Sequence, residues 1–442
     1  MGAEEKMNGS DPQADRSRLT IGVPRALDFF VYYPLVRELL TRLGFRVKLS
    51  PPTGRATLDA GTRFTVTDAC IPVKIFHGHV HALLQGADAV YLPRLVKVRR
   101  LKFLGRPYRE SFCPKFIGLP DIVRNTMGLS TIADLGPAAR ARRMIRRRLK
   151  LAEPPLPEGV RELPLVRRGR PDAVLPAGKP VLIDINVDLT RRFATLYRVA
   201  NQLRRLKYFS YLHLYTAYRK ALRYQRRFER LLGRGLSPEE ALKALDEGRE
   251  LLDAPTPSGV GRGALAVVGY PYLLFDPHLG SGVVKRFAER GYDVWTPWRL
   301  WRDRRALALG ARHKERPFFW YFANIVADAA LYLLHYGVTR EQASGGRLNR
   351  RGYLRHLAAN MRAKRLGAPI LGLVHVTSAT CGPDAFVGKT LEMEAKKAGV
   401  PMLIVQVDEQ SGEAGLLTRI EAFCDMLERR GTETTRVGVE RV

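Results

Sequence analysis

Residues 264–297 read ALAVVGYPYLLFDPHLGSGVVKRFAERGYDVWTP, and this order of elements decides the fold. ALAVVGYP is a short apolar run closed by glycine and proline, the pattern of a buried strand. VVKRFAERG places apolar residues at helical spacing and stops at Gly291, a residue type that accepts the left-handed conformation ending many helices. YDVWTP then reads as a second strand. Residues 19–49, LTIGVPRALDFFVYYPLVRELLTRLGFRVKL, run through the same scheme. Gly22 and Pro24 correspond to Gly269 and Pro271, and Gly44 and Gly291 each follow their proline by 20 positions. Two β-α-β openings 247 residues apart imply two similar halves.

Further units extend both halves. ADAVYLPRLV (87–96), LGLVHVTS (371–378) and VPMLIVQVD (400–408) are short, apolar and β-branched, as buried parallel strands are. FTVTD (64–68) reads as one more strand. Residues 189–252 are strongly helical, and Ser237 with Glu240 three positions on makes a capping box. The expected fold is therefore α/β, with two Rossmann-like parallel-sheet domains and an additional helical segment between them. The expected organisation is a polar tail at 1–18, an N-terminal Rossmann-like domain at 19–135, and an Arg/Pro-rich linker or loop at 136–188. A helical segment at 189–255 and a C-terminal Rossmann-like domain at 256–442 complete it.

At 442 residues the chain exceeds one ordinary core, so several domains are expected. The first eighteen residues hold no apolar run resembling a secretory signal, and four cysteines are too few for a disulfide framework. The cytoplasm is the expected compartment. FFWYFANIVADAALYLLHY (318–336) is long enough to imitate a membrane span. Asn324 and Asp328 would then lie near the bilayer centre, where an Asp costs about 2.5–3.5 kcal/mol. A buried core helix avoids that cost and is the preferred reading, so no membrane is expected.

The formal net charge of +31 raises a polyanion partner as an alternative function: a cluster-free basic protein that binds nucleic acid or other phosphates. The charge is densest in ARARRMIRRRLK (139–150) and between residues 204 and 230. No zinc finger, ribonucleoprotein motif or basic-zipper heptad accompanies it, and an Arg-rich proteome explains the same number. Nucleic acid is therefore the lesser expectation.

Cys70, Cys113 and Cys381 share a local context. Each stands before a helix-like run and has a proline one or two residues on, at Pro72, Pro114 and Pro383. Proline suits the first turn of a helix. A cysteine just ahead of that turn faces free backbone N–H groups, which favour the thiolate that binds iron. Ligands in open α/β sheets gather beyond strand ends, so three thiolates from distant segments are expected to meet in a cleft between the halves. A small buried hydrophobe is the ordinary fate of a lone cysteine, and Cys424, on an apolar stripe with Leu417, Ile420 and Leu427, is read that way.

Several other motifs are weaker. GPDAFVGKT (382–390) imitates a phosphate loop, but five residues separate its glycines instead of four, and Pro383 removes a cradling N–H. His77, His79 and His81 do not share one helical face and are expected to pack or cap. Asp408, Glu409 and Glu413 form an acidic cluster that serves as a base or pairs with Arg419.

IGVPRAL (21–27), TDACIPVKIFHGHV (67–80), FCP (112–114), VVGYPYLLFDPHLGSGV (267–283) and the long block from Cys381 to Phe423 together carry a family resemblance. The chain resembles CoA protein activases, or acyl-CoA dehydratase activase-related proteins, a branch of the 2-hydroxyacyl-CoA dehydratase component superfamily. The resemblance implies a [4Fe-4S] cluster on Cys70, Cys113 and Cys381 with one iron open, while Cys424 matches no ligand. It implies an electron-transfer protein or acyl-CoA dehydratase-like lyase acting on a CoA thioester. It also implies two partners: an ATP-hydrolysing, actin-like activase that delivers a low-potential electron, and a related subunit forming a dimer. Gly22, Pro24, Gly269 and Pro271 would shape the turns around the cleft.

Overall fold

The computed structural model describes residues 19–103, 106–132, 160–163, 173–176, 179–249, 262–339, 342, 347–348, 350–351, 353–354 and 368–439. The tail at 1–18 and the arginine run at 139–150 lie outside them, as does most of the stretch 136–188. The chain is α/β. Strands β1 (Thr20–Val23), β2 (Arg46–Leu49), β3 (Ala89–Tyr91) and β8 (Val181–Ile183) form a parallel sheet in the order β2-β1-β3-β8. Strands β10 (Ala264–Gly269), β11 (Asp293–Trp295), β12 (Ile370–Ser378) and β13 (Met402–Val407) form another in the order β11-β10-β12-β13. In each, the first strand of the half sits between the second and the third. The two halves thus share one Rossmann-like strand order.

The matching glycines play matching parts. The helix Phe29–Arg42 gives way to β2 through Gly44 at φ +83°, and the helix Val283–Glu289 gives way to β11 through Gly291 at φ +85°. Only glycine enters that region without strain. β1 and β10 are buried along their whole length, as the apolar runs require.

Three features differ from the sequence reading. FTVTD is a series of turns, with Val66 exposed; its alternation finds no neighbouring strand to pair with. The run 87–96 divides into β3 and a separate long strand, β4 (Arg94–Phe103). β4 joins a three-stranded mixed sheet, antiparallel to β5 (Arg106–Ser111) and parallel to β9 (Asn186–Asp188). A further antiparallel pair, β6 (Val160–Leu163) with β7 (Ala173–Pro176), lies in the 136–188 stretch.

The region after β9 is helical as expected, over Arg192–Leu203, Tyr211–Gly233 and Pro238–Asp246, and Ser237 and Glu240 form the capping box in both directions. The span-like run becomes the helix Tyr321–Tyr336, whose core position explains its polar residues. Asn324 Oδ1 accepts from Lys314 Nζ and the Phe318 N–H, both at 2.8 Å, while Asp328 pairs with Lys314 at 2.5 Å. Among the described residues no helix is long and apolar enough to cross a membrane.

Candidate functional site

Cys70, Cys113 and Cys381 each occupy the position just before a helix: Ile71–Leu83, Pro114–Met127 and Gly382–Lys397. All three helices carry proline in their first turn. The three sulfur-bearing residues line one recess together with Leu27, Lys115, Phe116, Tyr270, Tyr272 and Thr380. Segments more than 300 residues apart therefore converge. Cys381 follows the carboxyl end of β12, and Tyr270 that of β10, where ligands of parallel sheets collect.

Free backbone N–H groups face two of the sulfurs. The N–H groups of Lys115 and Phe116 point to Cys113, and that of Asp384 to Cys381. Burial nevertheless outweighs them: it pushes the Cys113 and Cys381 thiols up, with like-charge repulsion among the three adding to it.

Residues beyond the cysteines complete the recess. Tyr270 and Tyr272 are buried, and desolvation lifts both phenols far above their ordinary range, so each stays an O–H donor. Asp384, fully buried one turn into the Cys381 helix, has Oδ1 3.3 Å from His375 Nε2, and its Oδ2 has no hydrogen-bond partner among the described residues. Thr380 is held at φ +61° and Leu27 at φ +57°, a left-handed backbone that costs a β-branched residue strain and is concentrated at functional sites. None of these residues was singled out from the sequence; the spacing of Asp384, three after Cys381, was the available signal.

A second recess, of about 250 Å³, lies beyond β13 and shares the Cys70 helix through Ile71. Arg55, His278, Ser281, Asp408 and Arg419 are among its lining residues. The acidic cluster is engaged differently from either expectation. Glu409 pairs with Lys74 and Glu413 with Arg286, Asp408 caps its own loop by accepting from Gln410 N and Ser411 Oγ, and Arg419 donates to the Ile404 carbonyl.

The remaining motifs fall where packing takes them. GPDAFVGKT is helical from Gly382 onward, and Lys389 pairs with Glu392, so it forms no phosphate loop. His77 binds the Val73 carbonyl at 2.8 Å, His79 meets Thr53 Oγ1 at 2.9 Å, and His81 packs on Phe64. Cys424 is buried with Ile420 and Leu427 beside Tyr292. Gly269 lies so close to the Val376 carbonyl that a Cβ would approach it to 2.6 Å, and Pro271 opens the helix Pro271–Phe275.

No curated protein matches this chain. A family model does, over residues 20–155 and 176–299, a span that contains Cys70, Cys113, Tyr270 and Tyr272 and stops short of Cys381. The chain, with its duplicated parallel sheets and paired strand-to-helix turns, belongs to the family described as the CoA enzyme activase uncharacterised domain.

Proposed function

We propose that this protein is an iron–sulfur redox component in which Cys70, Cys113 and Cys381 hold a [4Fe-4S] cluster with one iron open. When bound, such a cluster supplies a low-potential electron and a Lewis-acidic iron for a CoA thioester carbonyl. The observation that carries the reading is the meeting of three proline-followed cysteines in one recess.

The chain's own residues suit this work. The N–H groups of Lys115, Phe116 and Asp384 hold two of the thiolates. Leu27 and Phe116 keep the recess apolar, and Tyr270 and Tyr272 present donors to an incoming oxygen. Arg55 and Arg419 give the neighbouring recess cations for the phosphates of a CoA ester. GPDAFVGKT is helical and forms no phosphate loop, and a separate, ATP-hydrolysing, actin-like activase would deliver the electron. A related subunit would complete a dimer in the cytoplasm. In the anaerobically purified protein, reduction should produce a paramagnetic signal that an acyl-CoA perturbs. A folded protein that stays iron-free after anaerobic reconstitution would overturn the reading.

One surface favours a second reading, polyanion binding. Residues 191–230 hold twelve Lys/Arg and one acidic residue. There Tyr197 stacks on Tyr211 at 5.9 Å, and Arg204 covers Tyr208 and Tyr211 at 4.9 and 4.7 Å. Exposed aromatic rings beside arginines form platforms for single-stranded bases. Steeply salt-dependent binding of a single-stranded oligonucleotide would support it, and no binding at moderate salt would remove it.

A further inference from the structure

A cluster of donors lies away from the cysteine recess and plays no part in the reading above. His313 ends the short 3₁₀ turn Ala311–His313, His335 lies in the last turn of the helix Tyr321–Tyr336, and Glu394 lies in the last turns of the Cys381 helix. One ligand atom from each falls within 4.8 Å of the others. The side chains of His335 and Glu394 are mostly buried, at 19% and 14% exposed. We propose that His313, His335 and Glu394 bind a first-row divalent cation of the zinc class, with an open position for water.

The donor set matches that ion: two imidazoles and one carboxylate are the ligands of open zinc sites. Lys397 Nζ donates to Glu394 Oε1 at 2.7 Å, which leaves Oε2 to face His335.

In the metal-free arrangement the two rings lie face to face, 3.7 Å apart and within 4° of parallel. His335 Nε2 is then 3.2 Å from Glu394 Oε2, and His313 Nε2 is 3.0 Å from the Tyr336 hydroxyl. Imidazole lone pairs lie in the ring plane, so parallel rings do not aim at one point. Rotation about χ2, a soft torsion in histidine, turns them toward a shared ion. Loading exchanges the His335–Glu394 contact for two metal bonds. The ion would clamp the 3₁₀ turn and both helices, anchoring the far end of the helix that begins at Cys381. Arg312 and Lys397 are nearby charges that oppose the ion.

The test is a Co2+ titration of the full-length chain after chelation, read by visible absorption. One Co2+ per chain is expected, with d–d bands and without the near-ultraviolet thiolate charge transfer that binding at the cysteines would give. His335→Gln and the isosteric Glu394→Gln should each weaken it at least about tenfold. Zn2+ should raise the thermal midpoint of the parent and not that of Glu394→Gln. The absence of saturable d–d bands would overturn the assignment. So would thiolate bands alone, or a spectrum that both variants leave unchanged.

Discussion

Lys74 Nζ lies 2.5 Å from Glu409 Oε1, tying the helix that starts at Cys70 to the loop that follows β13. The same ammonium donates to the Thr67 carbonyl at 2.7 Å, three residues before Cys70. One side chain therefore sets Cys70 against the half of the molecule that carries Cys381. The two partners are unequal: the Lys74 side chain is 5% exposed and that of Glu409 36%. Glu409→Gln leaves a buried ammonium without its counter-charge and should cost about 2–4 kcal/mol, whereas Lys74→Met leaves a carboxylate that reaches water and should cost about 1–2 kcal/mol. Chemical denaturation of the two variants checks the order, and the reverse order would contradict the buried-cation account.

The helices Arg55–Thr62 and Ile71–Leu83 touch backbone to backbone. A methyl on Gly61 would overlap the Lys74 carbonyl, and one on Gly78 the Thr57 carbonyl. Gly78→Ala should therefore push the helices apart at a cost of about 1–3 kcal/mol. The shift reaches Cys70, so bound iron should fall along with the thermal midpoint. Unchanged stability would mean that the two helices pack less closely than described.

His79 gives the fold an acid limit. It is fully buried, and desolvation lowers its pKa from 6.5 to about 3. The unfolded chain binds the proton more readily than the folded one, so stability is complete above pH 6.5 and is lost as pH falls toward 3. The loss from this group amounts to up to about 5 kcal/mol. Urea midpoints measured across that window should fall with acidification, and His79→Gln should flatten the profile. An equally steep profile in the variant would assign the acid sensitivity to other groups.

Much of this fold was legible locally. Gly44 and Gly291 announced the ends of two equivalent helices because their positive φ excludes most other residues. Proline after each of three cysteines announced helix starts, and the core position of Tyr321–Tyr336 followed from Asn324 and Asp328. What escaped depends on contacts between distant residues. Lys74 and Glu409 are 335 positions apart, and His313, His335 and Glu394 come from three elements, so no spacing betrays them. FTVTD shows the converse failure, since alternation makes a strand only where a partner strand is present.

The central claim is tested most directly by iron and acid-labile sulfide analysis of the anaerobically prepared parent beside Cys70→Ala, Cys113→Ala, Cys381→Ala and Cys424→Ala. About four irons and four sulfides per chain are expected in the parent and in Cys424→Ala, and loss of both in the other three variants. A folded parent without iron after anaerobic reconstitution, or a Cys381→Ala protein that keeps its full complement, would contradict the account.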